Sequence, residues 1–440
     1  MNLRSALRPI RNAVILLLVL WVAFIGAQLV GAAVPDRPIA QQLQQSIADG
    51  LYERSYPPNG VGGQHDAYTD CVAAGTGLGE EAMSVWERAL MMPRIASCTN
   101  GGVEAINAIA AGEDPAHQLY LRYWAGYAAV FRPALAVGGM AAMNAVALSA
   151  LALGLFAMWT ALSRRTSPLI AAALSLPLLL TSDVLATPGG SSEHALSLGV
   201  AFGGVAAVAW ASSRGLAMIF LTSVGAGAVF NFFDLLNNPN LAWTLAAAAG
   251  ALCLVARGAS ASSVAASAGV AAAGWMTGFA AAFIERWITA ILAAGPDAAL
   301  EQVVENVANR SGLGDQSGQP VETGFGHGSW ANVMFYADMP LSRIGTALVL
   351  LVTVVCLALA IRGAGRTAAL TFLAAASPSL VVPLWYEVMS NHSQIHAFFM
   401  YRAIPAAAGV VLAAAVTVLL VSRSASRGRG MASNAEAASQ

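Results

Sequence analysis

Lysine is absent from this 440-residue chain, and charged side chains of all kinds make up only 10% of it. A soluble domain carries about 25%, so a water-exposed globular fold is excluded for the chain as a whole. Cysteine is also sparse. The four residues, Cys71, Cys98, Cys253 and Cys356, are too few and too widely spaced for a disulfide scaffold or a four-thiolate zinc module. The basic residues, all 22 of them arginine, are scattered along short connections and form no extended patch, which argues against a nucleic-acid partner.

What the sequence has instead is 57% hydrophobic residues, in repeated apolar runs of about 20 residues. Each such run is able to cross a hydrocarbon core about 30 Å thick. The expected fold is therefore an all-α polytopic membrane protein with about ten transmembrane helices, at 13–34, 134–162, 168–187, 195–213, 215–233, 241–256, 264–286, 341–361, 367–389 and 398–421. The first run is too long for the h-region of a signal peptide, and GAAVPD only weakly resembles a cleavage site.

Arginine sets the orientation. With ten alternating spans, Arg4, Arg8 and Arg11, the connections bearing Arg164, Arg165, Arg214, Arg257, Arg362 and Arg366, and the tail with Arg423, Arg427 and Arg429 all fall on one side. The positive-inside rule makes that side cytoplasmic, with both termini there, in a bacterial inner membrane. Of the 23 carboxylates, only Glu436 joins them, and all six histidines fall outside. The expected organisation is a cytoplasmic N-terminus (1–12), a first span (13–34), an extracytoplasmic loop with interface helices (35–133), spans two to seven (134–286), a second long outer loop (287–340), spans eight to ten (341–421) and a disordered cytoplasmic tail (422–440).

In the first loop, Ile39, Leu43, Ile47 and Leu51 recur at four-residue spacing, marking an amphipathic helix. EEAMSVWERALMMPRI (80–95) reads as a second one. Between them lies HDAYTDC, which, if helical, puts Asp66 and Asp70 on one face with His65 beside them. Cys71 and Cys98 share this outer loop, where thiols are free to oxidise, and a disulfide between them is expected; the alternative is two unrelated buried thiols. YLRYWAGYAAVFRP (120–133) reads as an interfacial aromatic belt of Tyr120, Tyr123, Trp124 and Tyr127. Its Arg122 and Arg132, outside against the usual bias, call for a carboxylate or an anionic head group.

Further ionisable groups stand at the outer ends of spans: Asp183 in LTSDVLATPGG, Asp234 in FNFFDLLNNPN, and Glu285 beside Arg286. NHSQIHAFFMYR supplies Asn391, His392, His396, Tyr401 and Arg402. Its HxxxH spacing suits a metal on a helix, but no third ligand is fixed, and hydrogen bonding to a phosphate or a hydroxylated substrate is the better reading. The plain alternative is a polar turn between spans. Taken together, outer-face carboxylates that activate a hydroxyl, with Arg and His to hold phosphate, suit transfer from a lipid-phosphate donor.

This layout resembles the GT-C superfamily of polyprenyl-phosphate-dependent glycosyltransferases, in its first span, long first outer loop and second long outer loop between spans seven and eight. The resemblance implies transfer of a sugar from a polyprenyl-phosphate donor in the membrane lipid to an envelope glycan or lipid acceptor, with inversion at the sugar. It also implies that Asp66 or Asp70 is the general base, although these lie four apart where the superfamily motif is often a close acidic pair. Some members use a divalent cation, Mg or Mn, and others none. DAYTD, YLRYWAGYAAVFRP, FFDLLNNP and NHSQIHAFFMYR are also similar to segments of a group of bacterial multispan proteins of no assigned activity. Two other readings fit the composition. A polysaccharide polymerase or ligase on lipid-linked glycans would need no acidic base. A transporter or lipid flippase would show a continuous polar path through its spans.

Overall fold

The computed structural model describes residues 3–52, 55–79, 82–313 and 321–438. Helices dominate, and among the described residues seven are long and apolar enough to cross a membrane: Arg8–Ala32, Ala128–Arg165, Ser192–Arg214, Leu216–Phe233, Ala261–Ala294, Ser342–Val388 and Ala397–Ser424. Two shorter apolar helices, Pro168–Thr181 and Pro239–Val255, complete the bundle. The chain is an all-α polytopic membrane protein. Helix Pro239–Val255 is apolar all round and buried on almost every side, so it forms the centre against which the others pack.

Close helix approach comes from small residues. Helices Ala128–Arg165 and Ser192–Ala211 cross near Gly154 and Gly199, where a Cβ on Gly154 would collide with the Gly199 backbone and one on Gly199 with the backbone of Ala150 and Leu151. The two ends of the bundle differ in kind. At one end the Arg165 guanidinium lies 4.4 Å over the Trp210 ring, and Arg257 donates to the Ser212 carbonyl at 2.9 Å. At the other end of the same helices lie Asp70, Glu193, His194 and Asn237.

A small cap covers that second end. Helix Asp36–Ala48 buries Ile39 and Leu43 completely, as its four-residue spacing requires. The second expected amphipathic helix is shorter than its sequence suggests: it spans only Val85–Met91, closed by a left-handed Met92. Pro93–Ile95 then forms strand β1, antiparallel to β2 (His117–Leu119), with Arg94 opposite Gln118. Residues 80 and 81 lie outside the described residues. The Cys71–Cys98 disulfide is present, with Cα atoms 5.8 Å apart, tying helix Ala67–Gly75 to the turn before helix Val103–Ala111.

Several other expectations are corrected. Tyr120, Tyr123, Trp124 and Tyr127 form no interfacial belt; all four are buried, because the segment runs beneath the cap instead of along its rim. Arg286 is fully buried. It donates to the Leu90 and Tyr120 carbonyls at 2.6 and 2.7 Å, pinning that segment to helix Ala261–Ala294. The second outer loop holds the amphipathic helix Pro296–Ser311 and helix His327–Asp338. The last helix runs on to Ala438, so the tail expected without structure is helical.

A buried ion pair joins cap and bundle. Asp36, in the first turn of its helix, accepts from Arg132 at 2.6 Å, from Gly79 N at 3.2 Å and from Arg88 at 3.4 Å. Arg132 also donates to the carbonyls of Gly31, Val34 and Thr76. Removing one partner of a buried pair leaves the other charge unmatched, at about 3–5 kcal/mol. Asp36→Asn should therefore lower the thermal midpoint of the protein in detergent by many degrees, and an unchanged midpoint would show that the pair does not hold the cap.

Candidate functional site

Helix Ala67–Gly75 starts one residue later than an i, i+4 pairing of its aspartates would need. Asp66 is its N-cap, accepting from Thr69 N at 3.0 Å and Thr69 Oγ1 at 2.6 Å. Asp70, inside the helix, is turned to the start of helix Ser192–Ala211, where it accepts from the backbone N–H groups of Ser192 and Glu193 at 2.9 and 3.0 Å. The two carboxylates thus serve different places rather than one shared face.

From Asp66 a buried polar chain runs inward. His194 Nε2 stands 3.2 Å from Asp66 Oδ2, and His194 Nδ1 accepts from Arg402 Nη1 at 2.8 Å. Because Nδ1 accepts, the ring proton sits on Nε2, facing Asp66. Arg402 in turn donates to both oxygens of Asp183, at 2.7 and 2.9 Å. Tyr401 OH and Asn59 Nδ2 complete the Asp183 shell at 2.8 and 3.1 Å. Burial pushes the Asp66 carboxyl up, but His194 and the two Thr69 donors outweigh it and hold the group below its usual value. Asp66 is therefore a carboxylate at neutral pH.

Asp66 opens onto a polar cavity of ≈ 100 Å³. Across from it stand His392 and His396, with Phe399 beneath and Tyr56, Tyr68 and Tyr120 around the wall. Arg94, Arg122 and Arg310 complete the lining. Each arginine is placed by backbone fixed elsewhere. Arg94 lies on β1, and Arg122 is flanked by the Arg286 bond to Tyr120 and a Trp124 Nε1 bond to the Ala282 carbonyl at 2.7 Å. Arg310 sits near the end of helix Pro296–Ser311, held down where Asn391 donates to the Asn309 carbonyl at 3.0 Å and Tyr123 OH bonds Asn306 at 3.1 Å. Arg310 also donates to His392 Nδ1, so His392 carries its proton on Nε2 and gives it to the Leu236 carbonyl at 2.7 Å. Burial first, then the Arg310 charge, keeps both imidazoles neutral, and the His396 value falls to about 3.

The pair is no metal site. Both His392 nitrogens are already bonded, and among the described residues no group of three His, Cys, Asp or Glu side chains could hold an ion. The Mg or Mn implied by the superfamily resemblance has no matching ligand set here.

A second cavity, apolar and ≈ 270 Å³, adjoins the first. Its walls are Phe279, Phe283, Trp287, Val303, Trp385 and Met389, and it shares Arg122 and Arg310 with the polar cavity. One cavity is thus oily and the other polar, with two guanidinium groups at the junction.

Of the residues singled out from sequence, Asp66, Arg122, His392 and His396 line the polar cavity; Arg402, Tyr401 and Asp183 stand one layer behind it. Asn391 holds helix Pro296–Ser311 in place. His65 packs on Gly190, and Arg132 is taken up by Asp36 and carbonyls, so neither lines the cavity. Asp70 and Asp234 belong to a separate buried group with Glu193. Asn237 donates its backbone N–H to Asp234 at 3.0 Å and its side-chain amide to Glu193. His194, Arg94 and Arg310 were not singled out. The signal for His194 was SEHAL at the mouth of a span, an ionisable group at the apolar boundary.

Burial raises the Asp70 carboxyl to about 7, against its two backbone donors. A proton held that tightly in the folded state is lost first from the unfolded chain. Stability is then greatest below the usual carboxylate value of about 4 and declines as pH rises through about 7. Thermal midpoints should fall over that window, and less steeply in Asp70→Asn; parallel slopes for the two proteins would contradict the assignment.

No protein-family model, curated protein or solved structure matches this chain, so its function rests on its own geometry.

Proposed function

We propose that the chain is a GT-C-type membrane glycosyltransferase, moving a sugar from a polyprenyl-phosphate carrier to an envelope glycan or lipid acceptor. One observation carries this reading: the apolar and polar cavities meet at Arg122 and Arg310. A lipid-linked sugar has the same order of parts. Its prenyl chain suits the Phe279, Phe283 and Trp385 wall, its phosphate the two guanidinium forks, and its sugar the space beside the tyrosines.

In this mechanism Asp66 is the general base, rather than Asp70. The acceptor hydroxyl approaches Asp66 and loses its proton to the carboxylate as its oxygen bonds to the anomeric carbon. The bond from that carbon to the phosphate oxygen breaks, and the electron pair leaves with the phosphate, whose charge Arg122 and Arg310 stabilise. Attack opposite the leaving group inverts the sugar. His194, through Arg402 and Asp183, fixes the rotamer of Asp66. Neutral His392 and His396 orient the groups in the cavity without competing for the proton.

The membrane arrangement is part of the same proposal. The seven long helices and two shorter ones account for ten crossings if Ser342–Val388 spans twice, since its backbone breaks at Gly365 (φ 56°, ψ −138°). The arginine-bearing turns and both termini would then face the cytoplasm of a bacterial cell, with the cap outside.

In a strain lacking the protein, Asp66→Asn should reduce transfer roughly 10²–10⁴-fold. Arg122→Gln or Arg310→Gln should reduce it roughly 10²–10³-fold. Mass spectrometry of the lipid-linked sugar pool would then show accumulating donor, while size-exclusion profiles stay normal. Full complementation by well-folded Asp66→Asn would remove the base from the account, and complementation by all three would remove the transferase.

A further inference from the structure

The charges around the polar cavity do not balance. Arg402 is matched by Asp183 with two hydrogen bonds. Asp66, the carboxylate that lines the cavity, is already held by Thr69 and faces His194. Three guanidinium groups remain, and among the described residues none of them has a carboxylate partner within ion-pair distance. Arg94 is only 6% exposed; it donates to the Ile95 carbonyl at 3.2 Å, while its Nε has no partner. Arg122 is half-buried, with an unpartnered Nε. Arg310 is half-buried and bonded to a neutral imidazole. Tyr120 holds two of them on its ring, the Arg94 guanidinium carbon 5.3 Å and the Arg122 carbon 4.9 Å from its centre.

Buried or half-buried cations without counter-charges are costly in the empty protein, and their preorganised forks match phosphate oxygens. Their positions differ. Arg122 and Arg310 border both cavities, whereas Arg94 lines the polar one alone. A single phosphate diester carries one negative charge and would answer the junction pair while leaving Arg94 unmatched. We infer that the lipid substrate is a prenyl diphosphate ester, with one phosphate between Arg122 and Arg310 at the groove mouth and the second against Arg94 inside the polar cavity. The chain, two phosphates and sugar then follow one line from oil to water, ending beside Asp66. This inference rests on the lipid-phosphate reading above and sharpens its donor class.

The two donor classes release different products on sugar departure, a prenyl monophosphate or a prenyl diphosphate, and these serve as probes. Binding of farnesyl monophosphate and farnesyl diphosphate is measured on the full-length protein in lipid nanodiscs. Wild type should bind the diphosphate roughly tenfold or more tightly, as expected for added charge-assisted hydrogen bonds. Arg94→Gln should bring the diphosphate to the level of the monophosphate and leave the monophosphate within about twofold, whereas Arg122→Gln weakens both. Equal affinity of wild type for the two ligands, or equal loss of both in Arg94→Gln, would overturn the diphosphate assignment while leaving the lipid-phosphate reading intact. Failure of wild type to bind either ligand would overturn both. The wild-type comparison needs no variant, so the test survives a poorly folded Arg94→Gln.

Discussion

Everything at the loop end of this protein depends on one buried ion pair, Arg402 with Asp183. Both groups are about 1% exposed, and in an apolar bundle neither would be tolerated without the other. The pair joins the segment after helix Pro168–Thr181 to the last long helix, and Tyr401 and Asn59 add bonds from the bundle and the cap. Its further effect is on chemistry. The one guanidinium nitrogen turned away from Asp183 fixes the tautomer of His194, which then presents N–H to Asp66. A carboxylate at the cavity wall is thereby kept ionised by a neutral ring, with its cation one layer removed.

A second constraint is the division of labour between carboxylates. Asp66 has donors at both oxygens and a neutral partner behind it. Asp70, Glu193 and Asp234 share a buried region with amides and backbone N–H groups, and among the described residues no cation pairs with them. Burial raises Asp70 and Asp234 together, each to about 7. The ionised carboxylate thus lines the cavity, while the group that holds protons is structural. It fixes the turn whose Leu236 carbonyl receives His392 and whose Asn237 reaches the cavity wall.

The sequence made part of this legible. Apolar runs located most of the helices, and polar residues stranded between those runs marked Asp66, Arg122, His392, His396 and Arg402, because burying such groups demands a purpose. The oxidisable pair Cys71 and Cys98 followed from sharing one outer loop. Arg94 and Arg310 were illegible because their neighbours in sequence, the apolar run LMMPRIA for Arg94 and helix Pro296–Ser311 for Arg310, do not show which groups stand beside them in space. For Arg132, the carboxylate that its outer position calls for is Asp36 of the same chain, which takes it away from the cavity. The buried aromatic segment 120–127 has the composition of a membrane belt, and only the cap above it, with Arg286 below, turns it inward.

The most direct test of the account is the position of a bound lipid phosphate, determined by cryo-electron microscopy of the protein in nanodiscs with a farnesyl-linked phosphate analogue. The phosphate is expected between Arg122 and Arg310, with the chain against Phe279, Phe283 and Trp385. A second apolar groove, ≈ 290 Å³, lies between helices Pro168–Thr181 and Ser342–Ala376 and provides the contrast. A chain seated there, with the junction of the two cavities free of phosphate, would contradict the central claim.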